Sequence, residues 1–311
     1  MATAREIRRR IASIGNIQQI TRAMELIAVT RLRRAQQRVL ASRPYADKMR
    51  QVLGDLVERV SLGAGDLAEQ EGKLPEQEGL HPLLERRPVA RTAVLLLTTD
   101  RGLCGALNTN TVRTALQYVY GQQNQGRTVD LVVVGRKGVQ ALRRLPVSVI
   151  AQFTQLGDYP NLTRVTPIAR VVMDGFIGRQ FDEVVLVYPR FVSTLRQEPT
   201  VVPLLPIQPP ARATGAGERG PRQHEVDYIY EPSPREVLAA LLPRFVEVQV
   251  YQSVLEMIAS EFSAKMVAMR NATDNAGELL NDLRLGYNKA RQATITREII
   301  EVSSGAAALQ R

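Results

Sequence analysis

Two segments with helical periodicity lie at opposite ends of this 311-residue chain, at residues 1–60 and 227–311. Apolar residues in both recur at steps of three and four, the spacing that places side chains on one face of a helix. The average step is close to 3.5 residues, so both segments are predicted to wind into a left-handed coiled coil. At about 1.5 Å per residue, a helix of roughly 70 residues is on the order of 100 Å long, more than one globular core requires.

On each terminal helix the periodic apolar residues form a predicted stripe along one face. In the first helix the stripe consists of Ile7, Ile11, Ile14, Ile17, Ile20, Met24 and Ile27. In the last helix it consists of Leu238, Leu241, Phe245, Val248, Leu255, Ile258, Phe262, Met266, Met269, Leu280, Leu283, Tyr287 and Ala290. Pro44 is expected to kink or restart the first helix, and Pro243 to kink the last one, because proline removes an intrahelical hydrogen bond.

The block between the terminal segments has the pattern of a small α/β domain. Its apolar runs at 94–97, 131–134 and 184–187 are separated by helix-like stretches. Fully apolar strands that alternate with helices indicate a mostly parallel sheet covered on both faces. The predicted boundaries are a linker or insertion at 61–90, the α/β domain at 91–205 with strands near 93–98, 129–134, 147–152 and 184–189, and a flexible loop at 206–226. Ser233 is expected to cap the last helix and Pro234 to occupy its first turn.

The charge of the chain indicates an acidic partner. The net charge is +10 and the pI about 10.1, and residues 1–50 contain twelve Lys or Arg and three Asp or Glu. Almost the whole excess therefore lies on the terminal helices, which are predicted to meet that partner. The first 44 residues contain no Phe, Tyr or Trp, which disfavours nucleic-acid binding, a function that usually pairs basic residues with stacking aromatics.

Cysteine content and hydropathy limit the remaining classes. With Cys104 as the only cysteine, the chain forms neither an internal disulfide nor a thiolate metal cluster, which favours a reducing compartment. The first ten residues precede no signal-peptide core, and no run approaches the roughly 18 apolar residues of a membrane span. Membrane association is therefore expected only through protein partners.

The sequence contains none of the common catalytic or cofactor-binding motifs. A phosphate-binding GxxxxGK[ST] loop is absent, and the glycines of residues 100–105 lack the GxGxxG spacing. This loop is expected to be structural or to contact a protein, although sheets of this class bind ligands at that edge. Cys104 is expected to be a packed residue, and His81 and His224 to be solvated loop residues. No catalytic residue, cofactor or metal ligand is predicted.

Polar and small residues interrupt the last helix at 266–276 and 287–296. Asn, Thr and Gly277 are poor helix formers, so something other than helix stability selects them. Two explanations remain equally open at this point: control of coiled-coil register, and a surface that contacts a partner.

The same stretches resemble the gamma subunit family of the F-type ATP synthase. The resemblance covers essentially the whole chain, and three motifs occur in the family's order. It is carried by residues 11–16 (IASIGN), 20–25 (ITRAME), 99–108 (TDRGLCGALN) and the two interrupted runs that end in 298–306 (EIIEVSSGA). It implies long antiparallel terminal helices in a two-stranded coiled coil, with a small Rossmann-like α/β domain inserted between them.

The resemblance also implies a function: the chain would be the non-catalytic central shaft of the complex. The shaft would lie within three α and three β subunits, beside epsilon and on the ring of c subunits, at the cytoplasmic face of a bacterial membrane, and would couple proton-driven rotation to conformational change in β. The implied β-subunit contacts are Arg291, Gln292 and Thr296, then Met24 and Arg22, then Asp100, Arg101 and Gly102. The implied contacts with the c ring are Tyr228, Tyr230 and Glu231, beside Pro232.

The chain departs from the family pattern in several features, and two competing functions remain as hypotheses. The chain has additional residues near 69–85 and 208–223, and its single cysteine excludes the disulfide switch of chloroplast relatives. The alternative function is a nucleotide-binding α/β enzyme with a coiled-coil arm, supported only by the loop around Asp100. A basic coiled coil that binds nucleic acid is the third hypothesis.

Overall fold

The computed structural model of the chain describes residues 4–71, 81–208 and 230–309. Its helices are α1 (Ala4–Glu71), α2 (Leu107–Asn124), α3 (Arg136–Leu142), α4 (Leu162–Ile177) and α5 (Pro234–Leu309), and a 3-10 turn covers Pro82–Leu84. Its strands are β1 (Arg91–Leu97), β2 (Thr128–Val134), β3 (Ser148–Phe153), β4 (Glu183–Phe191) and β5 (Gln197–Leu205). The predicted class, α/β plus long terminal helices, is confirmed.

The first helix extends further than the sequence suggested, and the last helix lies within its predicted range. α1 continues through Pro44 and ends at Glu71, within the segment predicted as a linker, and α5 continues through Pro243. At the beginning of α5, Ser233 Oγ accepts a hydrogen bond from Glu236 N at 3.3 Å, and Pro234 is the first helical residue. This is the predicted cap, and it satisfies a backbone donor that has no partner within the helix.

The central sheet is parallel except for its last strand. The strand order is β3-β2-β1-β4-β5. β1 pairs in parallel with β2 and β4, β2 pairs in parallel with β3, and β5 is antiparallel to β4. Four strands lie close to their predicted positions, whereas β5 was not predicted. Its two prolines, Pro199 and Pro203, argue against a strand, and the structure tolerates them because β5 is at the edge of the sheet.

Contacts within the chain form two compact units, residues 1–31 with 262–311 and residues 32–261. In the second unit the C-terminal part of α1, from Leu32 onward, and the N-terminal part of α5, up to Glu261, join the α/β domain. Ser260 Oγ of α5 donates a hydrogen bond of 2.8 Å to Pro189 O of β4. The Arg38 guanidinium of α1 lies 4.8 Å from the ring centroid of Tyr159, so both helices have direct contacts with this domain.

The end of β2 depends on one glycine. Gly135 has φ +94° and ψ 137°, a backbone conformation that is essentially restricted to glycine. A Cβ atom there would lie 2.1 Å from Thr98 O. The close approach allows Thr98 Oγ1 to donate to Val134 O at 2.7 Å and to accept from Gly138 N at 2.9 Å. These bonds join the ends of β1 and β2 to the beginning of α3.

A half-buried carboxyl group, that of Glu256, lies between α5 and β4. Burial raises the pKa of Glu256 above its ordinary value, and a hydrogen bond from Tyr188 only partly opposes that shift. Burial and the neighbouring Glu256 carboxylate raise the pKa of Tyr188 to about 12. Glu256 Oε2 is buried without a hydrogen-bond partner among the described residues. Folding therefore disfavours the ionised form of Glu256 relative to the unfolded chain.

We expect Gly135→Ala to destabilise the chain by about 3 kcal/mol or more, because it combines backbone strain with a clash against Thr98 O. Gly126→Ala is the matched control, since Gly126 also has a positive φ but a Cβ there would meet nothing within 4 Å. The control should lose about 1 kcal/mol. Urea unfolding followed by circular dichroism measures both, and equal losses would contradict the assigned role of the close approach.

We expect Glu256→Gln to change the pH dependence of stability. A carboxyl group with a raised folded-state pKa gives stability that is complete below its unfolded pKa and is lost as pH rises through the folded pKa. The wild-type chain should therefore lose free energy of unfolding relative to the Glu256→Gln variant as pH rises above about 4, the ordinary pKa range of a Glu side chain. Glu278→Gln, at an exposed site on α5, serves as the charge control. Parallel pH profiles for Glu256→Gln and the wild type would disprove the argument.

Candidate functional site

The first unit contains a coiled-coil seam with an unbroken heptad repeat. On α1 the seam consists of residues with heptad spacing that are all buried or half-buried: Ile7, Ile11, Ile14, Gln18, Thr21, Glu25 and Ala28. On α5 the corresponding buried or half-buried residues are Phe262, Met266, Met269, Thr273, Ala276, Leu280, Leu283, Tyr287 and Ala290. Steps of four and three alternate along both rows, the pattern of residues that interlock between two supercoiled helices. The predicted stripe of α5 is confirmed in this unit, with Thr273 and Ala276 as its missing members.

Direct contacts give the direction of the helix pair. The Arg31 guanidinium lies 5.8 Å from the ring centroid of Phe262, and Thr273 Oγ1 donates a hydrogen bond of 2.8 Å to Thr21 Oγ1. Gln18 Nε2 donates to Thr273 O at 3.4 Å, and a Cβ on Gly277 would lie 3.0 Å from that same nitrogen. Residue numbers fall along α1 as they rise along α5, so the two helices are antiparallel.

These contacts explain the polar and small residues of the last helix. Thr21, Gln18 and Thr273 form a hydrogen-bonded group within the seam, and Gly277 leaves room for the Gln18 side chain. A buried polar side chain is stable when its hydrogen bonds are made and costly when they are not. Of the two open explanations, control of register therefore accounts for Thr273 and Gly277.

The predicted stripe of α1 was wrong beyond Ile14. Ile17, Ile20, Met24 and Ile27 are 48%, 56%, 37% and 50% exposed, whereas Thr21 and Ala28, one residue further along, are buried. Both rows have helical spacing, and the sequence favoured the larger apolar residues. The structure places Gln18, Thr21, Glu25 and Ala28 in the seam instead, and the small side chains of Thr21 and Ala28 allow close approach of the helices. A row of large apolar side chains consequently remains uncovered on α1, and we call Ile17, Ile20, Met24 and Ile27 the α1 apolar row.

The end of α5 is also uncovered. All residues from Arg291 to Ser304 are exposed, including Ile295, Ile299, Ile300 and Val302, at 46%, 63%, 58% and 73%. In the antiparallel register, Ala4 at the beginning of α1 is level with about residue 290 of α5. No described residue of α1 can therefore cover this stretch. Contiguous exposed apolar residues of this kind mark surfaces that bind other proteins.

The predicted contact residues lie in both units. Arg22 and Met24 are exposed on α1, and Arg291, Gln292 and Thr296 are exposed on α5, all in the first unit. Sequence reasoning did not identify the rest of the α1 apolar row as contact residues. The signal was present, since two neighbouring apolar rows on one helix indicate two surfaces.

Asp100, Arg101 and Gly102 lie in the second unit, in the loop after β1. Asp100 Oδ1 accepts a hydrogen bond from Arg136 N at 3.0 Å, and Thr99 Oγ1 donates to Arg101 O at 2.6 Å. Asn108 Nδ2 donates to Thr99 Oγ1 at 2.8 Å. A cleft of about 290 Å³ beside this loop is lined by Asp100, Arg101, Arg136, Asp158 and Glu261 among others. The polar groups of the loop thus hold the loop itself together.

Of the predicted c-ring contacts, Tyr228 lies outside the described residues. Tyr230 is half-buried and Glu231 is exposed immediately before α5. Glu231 lines a groove of about 480 Å³ together with Pro232, Glu236, Val237, Ala240 and Leu241. Within residues 4–71, 81–208 and 230–309, no cluster of three metal-binding side chains occurs. None of the helices searched in those ranges contains a stretch apolar enough to span a bilayer.

Comparisons with known proteins agree on one family. The family described as ATP synthase matches residues 3–309. The ATP synthase gamma chain of Roseiflexus castenholzii is 50% identical over 99% of both chains. That of Herpetosiphon aurantiacus is 47% identical over the full length of both.

Solved structures share the fold at lower identity. A chain from the central stalk and c ring of the Tetrahymena thermophila mitochondrial ATP synthase has a TM-score of 0.58 and 21% identity, covering 81% of this chain and 99% of its own. A rotor chain of the Euglena gracilis mitochondrial ATP synthase has a TM-score of 0.56 and 18% identity, with 94% and 98% covered.

We expect substitutions in the seam and on the α1 apolar row to have different effects. Ala28→Glu places an unpaired charge at a site that is 1% exposed and should cost about 3 kcal/mol or more. Ile27→Glu, at the adjacent exposed position, should change the free energy of unfolding by no more than about 0.5 kcal/mol. Urea unfolding measures both, and a larger loss for Ile27→Glu would reverse the assignment of the two rows.

We expect Thr21 and Thr273 to be energetically coupled. Thr21→Val should cost about 1 kcal/mol, because the Thr273 hydroxyl can still donate to Met269 O, 2.9 Å away. In a double-mutant cycle, the double variant Thr21→Val with Thr273→Val should lose less free energy of unfolding than the sum of the two single losses. The difference should be about 0.5 kcal/mol or more. Thr30 is the control, since its hydroxyl bonds only Ile27 O of its own helix among the described contacts. Thr30→Val and Thr273→Val should be additive, and additivity in both cycles would exclude a shared hydrogen bond.

Proposed function

Because this chain belongs to the ATP synthase gamma chain family, we propose that its terminal helices form the rotating central shaft of that complex. The chain is a non-catalytic subunit of ATP synthase, the membrane-associated complex that makes ATP from ADP and phosphate. The observation that carries the proposed role of the helices is the uncovered apolar surface of the first unit. It consists of the α1 apolar row and the exposed end of α5.

The arrangement of this surface supports a role in coupling. An antiparallel pair of different helices has no threefold symmetry, so three identical subunits around it would meet three different sets of side chains. A partner changes conformation only when its contacts differ between conformations. One side of the shaft would carry the α1 apolar row and another would not, and rotation would exchange these environments among three β subunits.

The positive charge of α1 also supports contact between this helix and the β subunits. Arg5, Arg8, Arg9, Arg10 and Arg22 are all exposed on α1. Long-range attraction from such a group acts on acidic residues of a partner without requiring one fixed geometry. We propose that acidic segments of the β subunits meet this part of α1, with Arg22 and Met24 among the contacts.

The remaining contacts are proposed on the family resemblance. Arg291, Gln292 and Thr296 on the uncovered end of α5 would contact a loop of one β subunit. Asp100, Arg101 and Gly102 would contact the lower part of a β subunit. Tyr228, Tyr230 and Glu231 would contact the c ring, and the epsilon subunit would lie beside the α/β domain. The complex would lie at the cytoplasmic face of a bacterial membrane, attached through these partners.

Family membership favours this function over the alternative of a nucleotide-binding enzyme. The only support for that alternative is the loop around Asp100 and the cleft beside it. Asp100 and Thr99 are engaged in hydrogen bonds within the protein. Titration of the chain with ATP or ADP tests the alternative directly, because saturable micromolar binding would favour it.

Rotation itself can be tested through Leu195, which is 82% exposed in the turn between β4 and β5. Leu195→Cys gives one accessible thiol, because Cys104 is 2% exposed. The labelled chain is assembled with its α and β subunits on a surface, and a bead is attached through the introduced thiol. ATP should drive the bead in one direction, in steps of about 120° set by three equivalent sites. A complex that hydrolyses ATP at its full rate while the bead shows no ATP-dependent stepping would contradict the proposal.

We expect substitution of the proposed β contacts to impair turnover without loss of stability. Arg291→Ala combined with Thr296→Ala should lower the rate of ATP hydrolysis by the assembled complex on the order of tenfold. A tenfold loss corresponds to about 1.4 kcal/mol of activation free energy, shared between the two lost contacts. Arg297→Ala combined with Thr294→Ala removes the same residue types from other exposed positions of α5 and is the control. All four positions are exposed, so unfolding should be unaffected. Equal losses in both pairs would show that Arg291 and Thr296 are not specifically recognised.

A further inference from the structure

The strand β3 forms one edge of the central sheet, and β2 is its only partner among the described strands. We propose that this edge binds an acidic, extended segment of another polypeptide in the assembly, which adds a strand to the sheet. The inference rests on the proposed function, because its partner is another chain of that assembly. It assigns a contact to a surface that neither the shaft nor the predicted contact residues use.

The two edges of the sheet differ in their protection. The opposite edge, β5, contains Pro199 and Pro203, and proline removes donors that an incoming strand would need. β3 has the sequence SVIAQF, without charge or proline. Natural sheets normally protect exposed edges with such residues, so an edge without them is suited to pairing. The same sheet therefore contains one edge closed to strand addition and one edge open to it.

The pairing of β3 with β2 shifts register between Leu131 and Val132, which leaves Ile150 as an extra residue in β3. The Ile150 side chain is 46% exposed. A bulge bends the strand and limits regular pairing beyond it. The added segment is therefore expected to be short, a few residues long, and to cover Ile150.

An apolar groove follows this edge. Its volume is about 550 Å³, and its apolar lining comes from Val139, Leu142, Leu145, Val147 and Val149 on α3, β3 and the turn between them. In strand addition, main-chain hydrogen bonds give affinity and alternate side chains occupy neighbouring pockets. The groove provides such a pocket beside the open edge, so the incoming segment is expected to carry apolar residues at alternate positions.

The charge around the groove selects the kind of partner. Among the residues that line the groove, Arg143 is the only charged one. Arg143 lines the groove, and Arg143 and Arg144 are both exposed. A second copy of this chain would bring the same basic surface to the edge and be repelled. Basic residues alone would suit an anionic lipid surface equally well, but an open edge with an apolar groove suits a strand that carries Asp or Glu.

Hydrogen exchange in the purified assembly provides the first test. A strand paired on one side protects about every second amide, because alternate N–H groups point to opposite sides. If the edge is occupied, all amides of the peptide covering Ser148–Phe153 should exchange slowly. If the edge is bare, about half of them should exchange within seconds, and that result would overturn the proposal.

Cross-linking identifies the occupant. Ile150→Cys carries a photoactivated cross-linker in the same assembly, with Leu195→Cys as an exposed control on the same sheet. The expected product joins residue 150 to a segment of another chain that contains at least two acidic residues within one strand length, and the control does not give this product. Cross-links to lipid, to a second copy of this chain or to a helical segment would each overturn the proposal.

Charge reversal tests the electrostatic part. Arg143→Glu with Arg144→Glu should accelerate exchange of the outward-facing β3 amides on the order of tenfold, since like charges would weaken the contact. Arg113→Glu with Arg170→Glu changes the net charge equally at exposed positions on α2 and α4 and should have no effect on β3. Equal effects of the two pairs would disprove an acidic partner at β3. Failure of the chain to assemble with other subunits would overturn both proposals, whereas normal assembly with a bare edge would overturn this one alone.

Discussion

The close approach of α1 and α5 is the interaction on which the first unit depends. Thr21 and Ala28 are small enough to let α5 come near, and the Thr21–Thr273 hydrogen bond satisfies polar groups within the seam. Because the row that contains Thr21 and Ala28 faces α5, the neighbouring row of large apolar residues does not. Ile17, Ile20, Met24 and Ile27 are left on the outside of α1, where burial by another protein would be favourable. The packing that holds the helices together therefore also creates the surface proposed to contact the β subunits.

In the second unit, a mostly parallel sheet is connected to parts of the two long helices. Gly135 allows β2 to approach Thr98 at the end of β1, and the loop after β1 closes through the hydrogen bonds of Asp100 and Asn108. A βα loop at this edge of a sheet is where many enzymes of this class bind nucleotides. In this chain several polar groups of the loop are bonded to the protein itself, which fits a subunit whose partners are other proteins.

Much of the fold could be predicted from the sequence, because its strongest signals are periodic. Apolar runs indicated four strands, and Ser233 with Pro234 indicated the start of α5. The strand β5 could not be predicted, since Pro199 and Pro203 are tolerated only at an edge, and edge position is a property of the whole sheet. The end of α1 was placed too early, because a Gly- and Glu-rich composition does not by itself end a helix. The contact residues Arg22, Met24, Arg291, Gln292 and Thr296 came from family resemblance, and the structure adds only that all are exposed.

The sequence by itself determined that both ends of the chain are helical, that a parallel α/β domain lies between them and that the basic excess belongs mainly to the first helix. Only the tertiary structure decided which face of α1 meets α5. The rows beginning at Ile17 and Gln18 have the same spacing, and periodicity cannot choose between them. The choice depends on what lies opposite, since the Thr273 hydroxyl bonds that of Thr21 and Gly277 leaves space for Gln18. That information belongs to residues about 250 positions away in the chain, and it becomes available only when the two helices are in contact.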